Sequence, residues 1–339
     1  MRRQARRSIV LGVVLCLALV GYANALTAAD IEAAAPHATR HQRIVTQLLA
    51  SNRLHGRDND SDDSRLAQHV LIRLLQRFGG GLVVGSGDSA YQQPFVLSEQ
   101  TGTNLLALIR GRELPNEYVV VGAHYDHLGT RSRSDGHCSA RGSVGVTPCN
   151  GATDNATGVA AVLGIAAALR SLPEAPRRSV VLALWDAEED GLVGSRYYVT
   201  HPVVPLADTV GYVNFDILGQ DLLPSLSTTS FAVGSETGGQ TLQAIVERAA
   251  ALETLRLHEV SYLLGEERSD YKNFVDHRVP TVFLSDATGP CRRLGGEPFG
   301  GRSPRCGESD LAFGLVGPDP RSCMRRSRGS RTPGRGSTA

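Results

Sequence analysis

The residues best suited to chemistry sit in Trp185-Asp-Ala-Glu-Glu-Asp-Gly191, which follows the apolar run Ser179–Trp185. Two adjacent glutamates at the end of a buried strand raise one another's pKa, and burial raises both. A cation makes the arrangement tolerable, because it takes one carboxylate as a ligand and leaves the other as a base. An isolated Glu-Glu pair reads more readily as a solvated acidic turn, so its context decides. That context is His124 and Asp126 directly after Val119–Val121, Asp154 within Gly151-Ala-Thr-Asp-Asn-Ala-Thr-Gly158, and Asp216 closing Asn214-Phe-Asp. Imidazole and carboxylates without thiolates suit Zn²⁺ or a similar divalent ion. One carboxylate can bridge two such ions about 3.5–4 Å apart. Asp126 would orient the His124 imidazole or polarise the site.

The elements that must hold these residues are legible as alternating apolar runs. Ala38–Ala50 has helical periodicity through Ile44, Leu48 and Leu49. Ser64–Phe78 has it through Leu66, Val70, Leu71, Leu74 and Leu75, and Gly79-Gly-Gly81 ends it. Asn104–Ile109 and Glu117–Gly122 flank a Leu114-Pro-Asn116 turn and predict an antiparallel pair. Residues 151 to about 172 predict a helix of small residues, Ser179–Trp185 a strand, and Gly194–His201 the start of a helix. Strands follow at Gly211–Asp216, Thr229–Val233 and Val279–Leu284, with a helix at Gln240–Leu252. This alternation predicts an α/β fold, a three-layer α/β/α sandwich on a mostly parallel mixed sheet. In such sheets ligands gather at the carboxyl ends of the strands, where His124, Glu188, Glu189 and Asp216 fall.

The 339 residues suffice for one large domain, and 41% hydrophobic residues can fill its core. A formal net charge of +1 argues against a nucleic-acid binder that works by bulk electrostatics. Arg2, Arg3, Arg6 and Arg7, the apolar Ile9–Val20 and Ala23-Asn-Ala25 make residues 1–25 read as a signal peptide. The apolar run is short for a membrane span. The expected location is therefore periplasmic or secreted, with no stable membrane insertion after cleavage. Export permits disulfides, and Cys138 with Cys149 is the favoured pair. Residues 26–291 form the expected domain. In residues 292–339, 31 of 48 residues are Arg, Gly, Ser or Pro, so this tail is expected to be disordered.

Gly122-Ala-His-Tyr-Asp-His127, Gly151–Gly158, Asp186-Ala-Glu-Glu189 and Asn214-Phe-Asp216 together resemble the successive metal motifs of peptidase family M28. The similarity runs from about residue 38 to Cys291 and takes in Leu48–Arg57, Thr101-Gly-Thr-Asn104 and Ser269-Asp270. The resemblance implies a zinc-dependent aminopeptidase acting on peptide substrates with two zinc ions. By the same resemblance Asp154 would bridge the ions, His124 and Asp216 would complete one site, Glu189 would bind the other, and Glu188 would be the general base. Two further readings stay open: a catalytically inactive binding protein of this fold, and a one-zinc enzyme of glutaminyl cyclase type.

The chain departs from the family pattern after Cys291. The resemblance places a histidine ligand just beyond the last apolar strand, yet all ten histidines lie at or before His277. The change to Arg/Gly/Pro/Ser composition resembles an out-of-frame reading of GC-rich DNA. The zinc held by Glu189 would then be one ligand short, and weak or absent peptidase activity follows as the expectation. His127 could contact the site but is read first as a local hydrogen-bonding residue, His137, His201 and His258 as surface or loop residues, and Asp186 and Asp190 as supporting or capping groups.

Overall fold

The computed structural model describes residues 35–78, 88–130, 148–219, 229–251, 256–265 and 268–286, with residues 12, 16, 19 and 81. The chain divides into two units, Met1–Thr288 and Gly289–Ala339, and every described residue belongs to the first. The expected tail from residue 292, most of the signal segment, and Cys138 lie outside the described residues. Of the segment 1–25, Cys16 and Leu19 are described and buried. Cys149 is disulfide-bonded.

Eight strands form one mixed sheet in the order β1-β2-β4-β3-β5-β8-β6-β7. They are β1 Gln92–Leu97, β2 Gln100–Ile109, β3 Leu114–His124, β4 Arg178–Trp185, β5 Thr209–Phe215, β6 Thr229–Val233, β7 Arg256–Val260 and β8 Thr281–Ser285. β4, β3, β5 and β8 run parallel, while β2 is antiparallel to β4 and β6 to β8. The parallel centre explains the unbroken apolar runs, since those strands are covered on both faces. Val180, Leu182 and Leu184 of β4 pack into one core, and Val181, Ala183 and Trp185 into the other.

The helices divide between the two faces. α1 Gln42–Leu49, α2 Asp62–Arg77, α3 Thr157–Ser171 and α5 Gly239–Ala251 supply the first core; α4 Val193–Thr200 and α6 Tyr271–Asp276 supply the second. α3 is buried almost all round, and its alanines and glycines let it lie close to its neighbours. α2 begins at Ser61, whose side chain accepts the Ser64 N–H at 3.0 Å, with Asp62 and Asp63 in the first turn.

Three sequence readings are corrected here. β2 and β3 do not pair with each other: β4 enters between them, so Ala107 faces Leu182 and Val121 faces Leu182 from the other side. The physical reason is that β4 is apolar from Val180 to Trp185 and buries most in the middle of the sheet. In α1 the buried residues are Val45 and Leu49, whereas Ile44 is 63% exposed. In α2 Ser64, Ala67, Gln68, Leu71, Ile72 and Leu75 face inward at helical spacing, which turns Leu66 to solvent. β1 and β7, absent from the sequence reading, are edge strands with half-buried patterns.

Candidate metal centre

The carboxyl ends of β3, β4 and β5 bring the candidate residues together. β3 ends at His124, beside Trp185 in register, and β4 and β5 lead directly into Glu188-Glu189 and Asp216. Asp154 comes from the loop before α3, where its backbone (φ −112°, ψ 96°) is not helical; the helix proper starts at Thr157. The Asp154–Asn155 peptide is cis. Asn155 anchors this loop: its amide donates to Phe215 O at 2.8 Å, and its oxygen accepts the Gly158 N–H at 3.0 Å. Only glycine fits at 158, since a Cβ there would lie 2.2 Å from Asn155 Oδ1 and 2.7 Å from Phe215 O.

His124 is fully buried, and its Nε2 lies 3.1 Å from Asp154 Oδ1, 3.5 Å from Asp216 Oδ1 and 4.0 Å from Glu188 Oε2. Its Nδ1 is 3.2 Å from the main-chain oxygen of Asp126. A proton on Nδ1, donated to that carbonyl, leaves the Nε2 lone pair facing the carboxylates. The Asp126 carboxylate, 3.5 Å from Nδ1, accepts the N–H groups of Glu188 at 3.2 Å and Glu189 at 3.3 Å. Asp126 therefore holds the Glu188-Glu189 turn as well as standing beside the imidazole. Asp186 is turned away: it accepts Thr103 N–H at 2.9 Å and Ala187 N–H at 3.1 Å.

Electrostatically the centre is overloaded with carboxylates. Burial pushes Glu188 well above the usual carboxylate range, His124 opposes the rise, and Asp216, Asp270 and Glu189 add to it. Burial also raises Glu189, against the pull of His127. Burial alone would lower the His124 pKa, but Glu188 and Asp216, with Asp126 and Asp154, carry it well above its ordinary value. Asp270, fully buried behind the site, is pushed up to about 7 by burial.

Two residues of the centre were not singled out for it by sequence reasoning. Arg57 is completely buried, and its guanidinium donates to Tyr125 O at 2.6 Å, Leu49 O at 3.0 Å, Asn150 O at 2.6 Å and Gly151 O at 2.7 Å. It thereby ties the loop before Asp154 to the segment after β3. Burial lowers its pKa to about 10, and Asp126, Asp154 and Glu189 oppose that fall. His127, read first as a local hydrogen-bonding residue with contact to the site left open, lies with Nδ1 2.5 Å from Glu189 Oε1. The segment after β3 turns there, pinned by the His127 N–H to Arg57 O at 3.3 Å, so the ring enters the site. Its place in Gly122–His127 was the available signal.

The ligand atoms fall into two groups, His124 with Glu188 and Asp216, and His127 with Asp154 and Glu189, each within 4.8 Å. His124 Nε2, Asp216 Oδ1, His127 Nδ1 and Glu189 Oε1 are buried and make no hydrogen bond of ordinary geometry. Buried polar atoms held against one another without good hydrogen-bond geometry are costly. Nitrogen and oxygen donors aimed at common points fit divalent cations of the zinc type, so this residue set is compatible with metal.

The comparisons agree with that chemistry. The family model for peptidase family M28 matches residues 104–295. The chain is 34% identical over 140 residues to leupeptin-inactivating enzyme 1 of Streptomyces exfoliatus, a match covering 41% of this chain and 28% of that protein. It is 32% identical over 126 residues to the mouse aminopeptidase NAALADL1, covering 36% and 14% respectively. These matches span less than a third of either relative's length. Among solved structures, the LapA aminopeptidase of Legionella pneumophila superposes with a TM-score of 0.54 at 17% identity, over 74% of this chain and 61% of that one. A glutaminyl cyclase of Bacteroides thetaiotaomicron bound to N-acetylhistamine gives 0.55 at 17% identity, over 72% and 83%. At those identities the solved structures speak to the fold.

Proposed function

This chain belongs to peptidase family M28, and from that premise we propose that it is a metal-dependent exopeptidase that removes N-terminal residues from peptides. The carrying observation is the convergence of His124, Asp154, Glu188, Glu189 and Asp216 at the carboxyl ends of the central strands, in two clusters of potential ligand atoms. His124, Asp154 and Asp216 would hold one cation, and Asp154 and Glu189 a second. When bound, such ions supply Lewis acidity toward a peptide carbonyl and toward water.

The chain's own residues supply the proton handling. Glu188, 11% exposed, faces the cluster from the β4 side, so its carboxylate can take the proton of the attacking water and return it to the leaving amine. Burial raises the Glu188 pKa in the metal-free chain, and bound cations would pull it back down, which favours the carboxylate form that accepts a proton. Asp126 keeps that carboxylate in place through the backbone N–H of Glu188. Export to the periplasm or medium is part of the same reading. It is supported by the N-terminal sequence pattern and by the disulfide at Cys149.

The test is zinc content and turnover of the full chain on peptides with free and with acetylated N-termini. Two zinc ions per chain and cleavage restricted to free N-termini support the proposal. One zinc with cyclisation of N-terminal glutamine favours the cyclase reading, for which the glutaminyl cyclase of this fold is the precedent. No turnover by a chain without metal favours a binding protein.

A further inference from the structure

We infer that His127 is a metal ligand and completes the second cation site beside Asp154 and Glu189. The inference rests on the two-metal reading above and adds to it the residue that closes the second site. One ligand atom from each of His127, Asp154 and Glu189 lies within 4.8 Å of the others, so small side-chain adjustments bring all three to the bond lengths of about 2.0–2.2 Å that one ion requires. His127 Nδ1 and Glu189 Oε1 stand 2.5 Å apart, both buried, and neither makes a hydrogen bond of ordinary geometry. The two atoms thus meet as a direct imidazole–carboxylate contact, and with Asp154 they form one cluster of potential ligand atoms. The main chain at 127 is fixed by its bond to Arg57 O, and the imidazole is only 11% exposed, so the ring is held in the site.

Rival imidazoles among the described residues are engaged elsewhere. His277 Nδ1 lies 2.8 Å from Asn273 O on α6, His201 stacks on Tyr197 with ring centroids 4.3 Å apart, and His258 packs against Phe231. No histidine follows His277 in the sequence. The imidazole that the family resemblance places beyond β8 is thus supplied in this chain from the turn after β3. The second site then has two carboxylates and one imidazole, and the expectation of a crippled centre is replaced by one of a re-ligated centre.

The experiment is zinc binding by the metal-free full chain, measured by calorimetry and by elemental analysis after dialysis, for the wild type, His127→Ala and His127→Asn. Thermal melts in chelator report whether each metal-free variant is folded. The expected result is two zinc ions in the wild type and one in both variants, with the second site weakened at least about 100-fold. Added imidazole should restore the second ion to His127→Ala. Two ions in both variants at wild-type affinity overturns the inference and leaves the two-metal reading standing. Two ions in His127→Asn but one in His127→Ala also overturns it, because the side chain then only positions Glu189. Fewer than two ions in the wild type overturns the two-metal reading and this inference together. Should His127→Ala not fold, the asparagine variant decides alone: one ion supports ligation and two overturns it.

Discussion

The carboxylate of Asp126 accepts the main-chain N–H of Glu188 at 3.2 Å, so a side chain at the end of β3 fixes the backbone that follows β4. Glu189 N–H reaches the other oxygen at 3.3 Å. The two glutamates are therefore aimed by a residue that belongs to a different strand. Asp126→Ala should leave a folded chain whose metal affinity falls about 10–100-fold, the usual loss when a group supporting a ligand is removed. Zinc titration of the variant checks this, and unchanged affinity would count against the role given to Asp126.

Glu188→Gln keeps the size and shape of the side chain but removes its ability to accept a proton. Turnover should drop by about 10²–10⁴, the range typical for loss of a general base. Zinc content should stay at the wild-type value. Activity and metal assays on the same preparation separate the two effects, and loss of both would make Glu188 a ligand instead.

Arg57 satisfies four main-chain carbonyls from inside the protein. Arg57→Met removes a buried cation that interacts with Asp126, Asp154 and Glu189, and strands those carbonyls. A destabilisation of about 3 kcal/mol or more is expected, as for other buried charges left without a partner. Arg57→Lys should rescue little, because one ammonium cannot reproduce the guanidinium fork. Urea unfolding of the metal-free proteins gives the comparison.

Asp186 provides a pH prediction for the metal-free chain. Burial raises its pKa from 3.8 to about 7, with the Asp126 carboxylate adding to the rise. Between those values the folded state binds more protons than the unfolded state, so stability from this group falls as pH rises from about 4 to about 7 and is level outside that window. Unfolding midpoints in chelator across this range should show the slope in the wild type, and Asp186→Asn should reduce it. A slope unchanged in the variant would assign it to other groups.

Much of this was legible in the sequence because strand period and strand ends are local signals. β6 falls on its predicted run, and His124, Asp154, Glu188, Glu189 and Asp216 meet because each follows an apolar segment or opens a helix. What was not legible depends on distant partners. Arg57 sits in a polar stretch that reads as surface, and its burial requires carbonyls from residues 49, 125, 150 and 151. The place of β4 between β2 and β3 is set by where an apolar strand buries most, which no short window contains. β1 carries two glutamines and a proline, a composition that an edge position tolerates and a strand reading misses.

The insertion of β4 also dictates the order in which the polypeptide can mature. β2 and β3 are both synthesised before their shared neighbour, and the contact between Ile109 and Val180 closes a loop of about 70 residues. Until residues 178–185 emerge, two apolar strands present open edges toward each other, and a direct β2–β3 hairpin is the misfolded alternative within easiest reach. Assembly of the sheet thus depends on several long-range closures, this one and the later pairings of β5 with β3 and of β8 with β5, which favours slow folding. The candidate ligands at the end of β3 and in the turn after β4 come together only with the pairing of β3 and β4, and Asp216 joins them when β5 docks on β3, so a metal could be captured only after both steps.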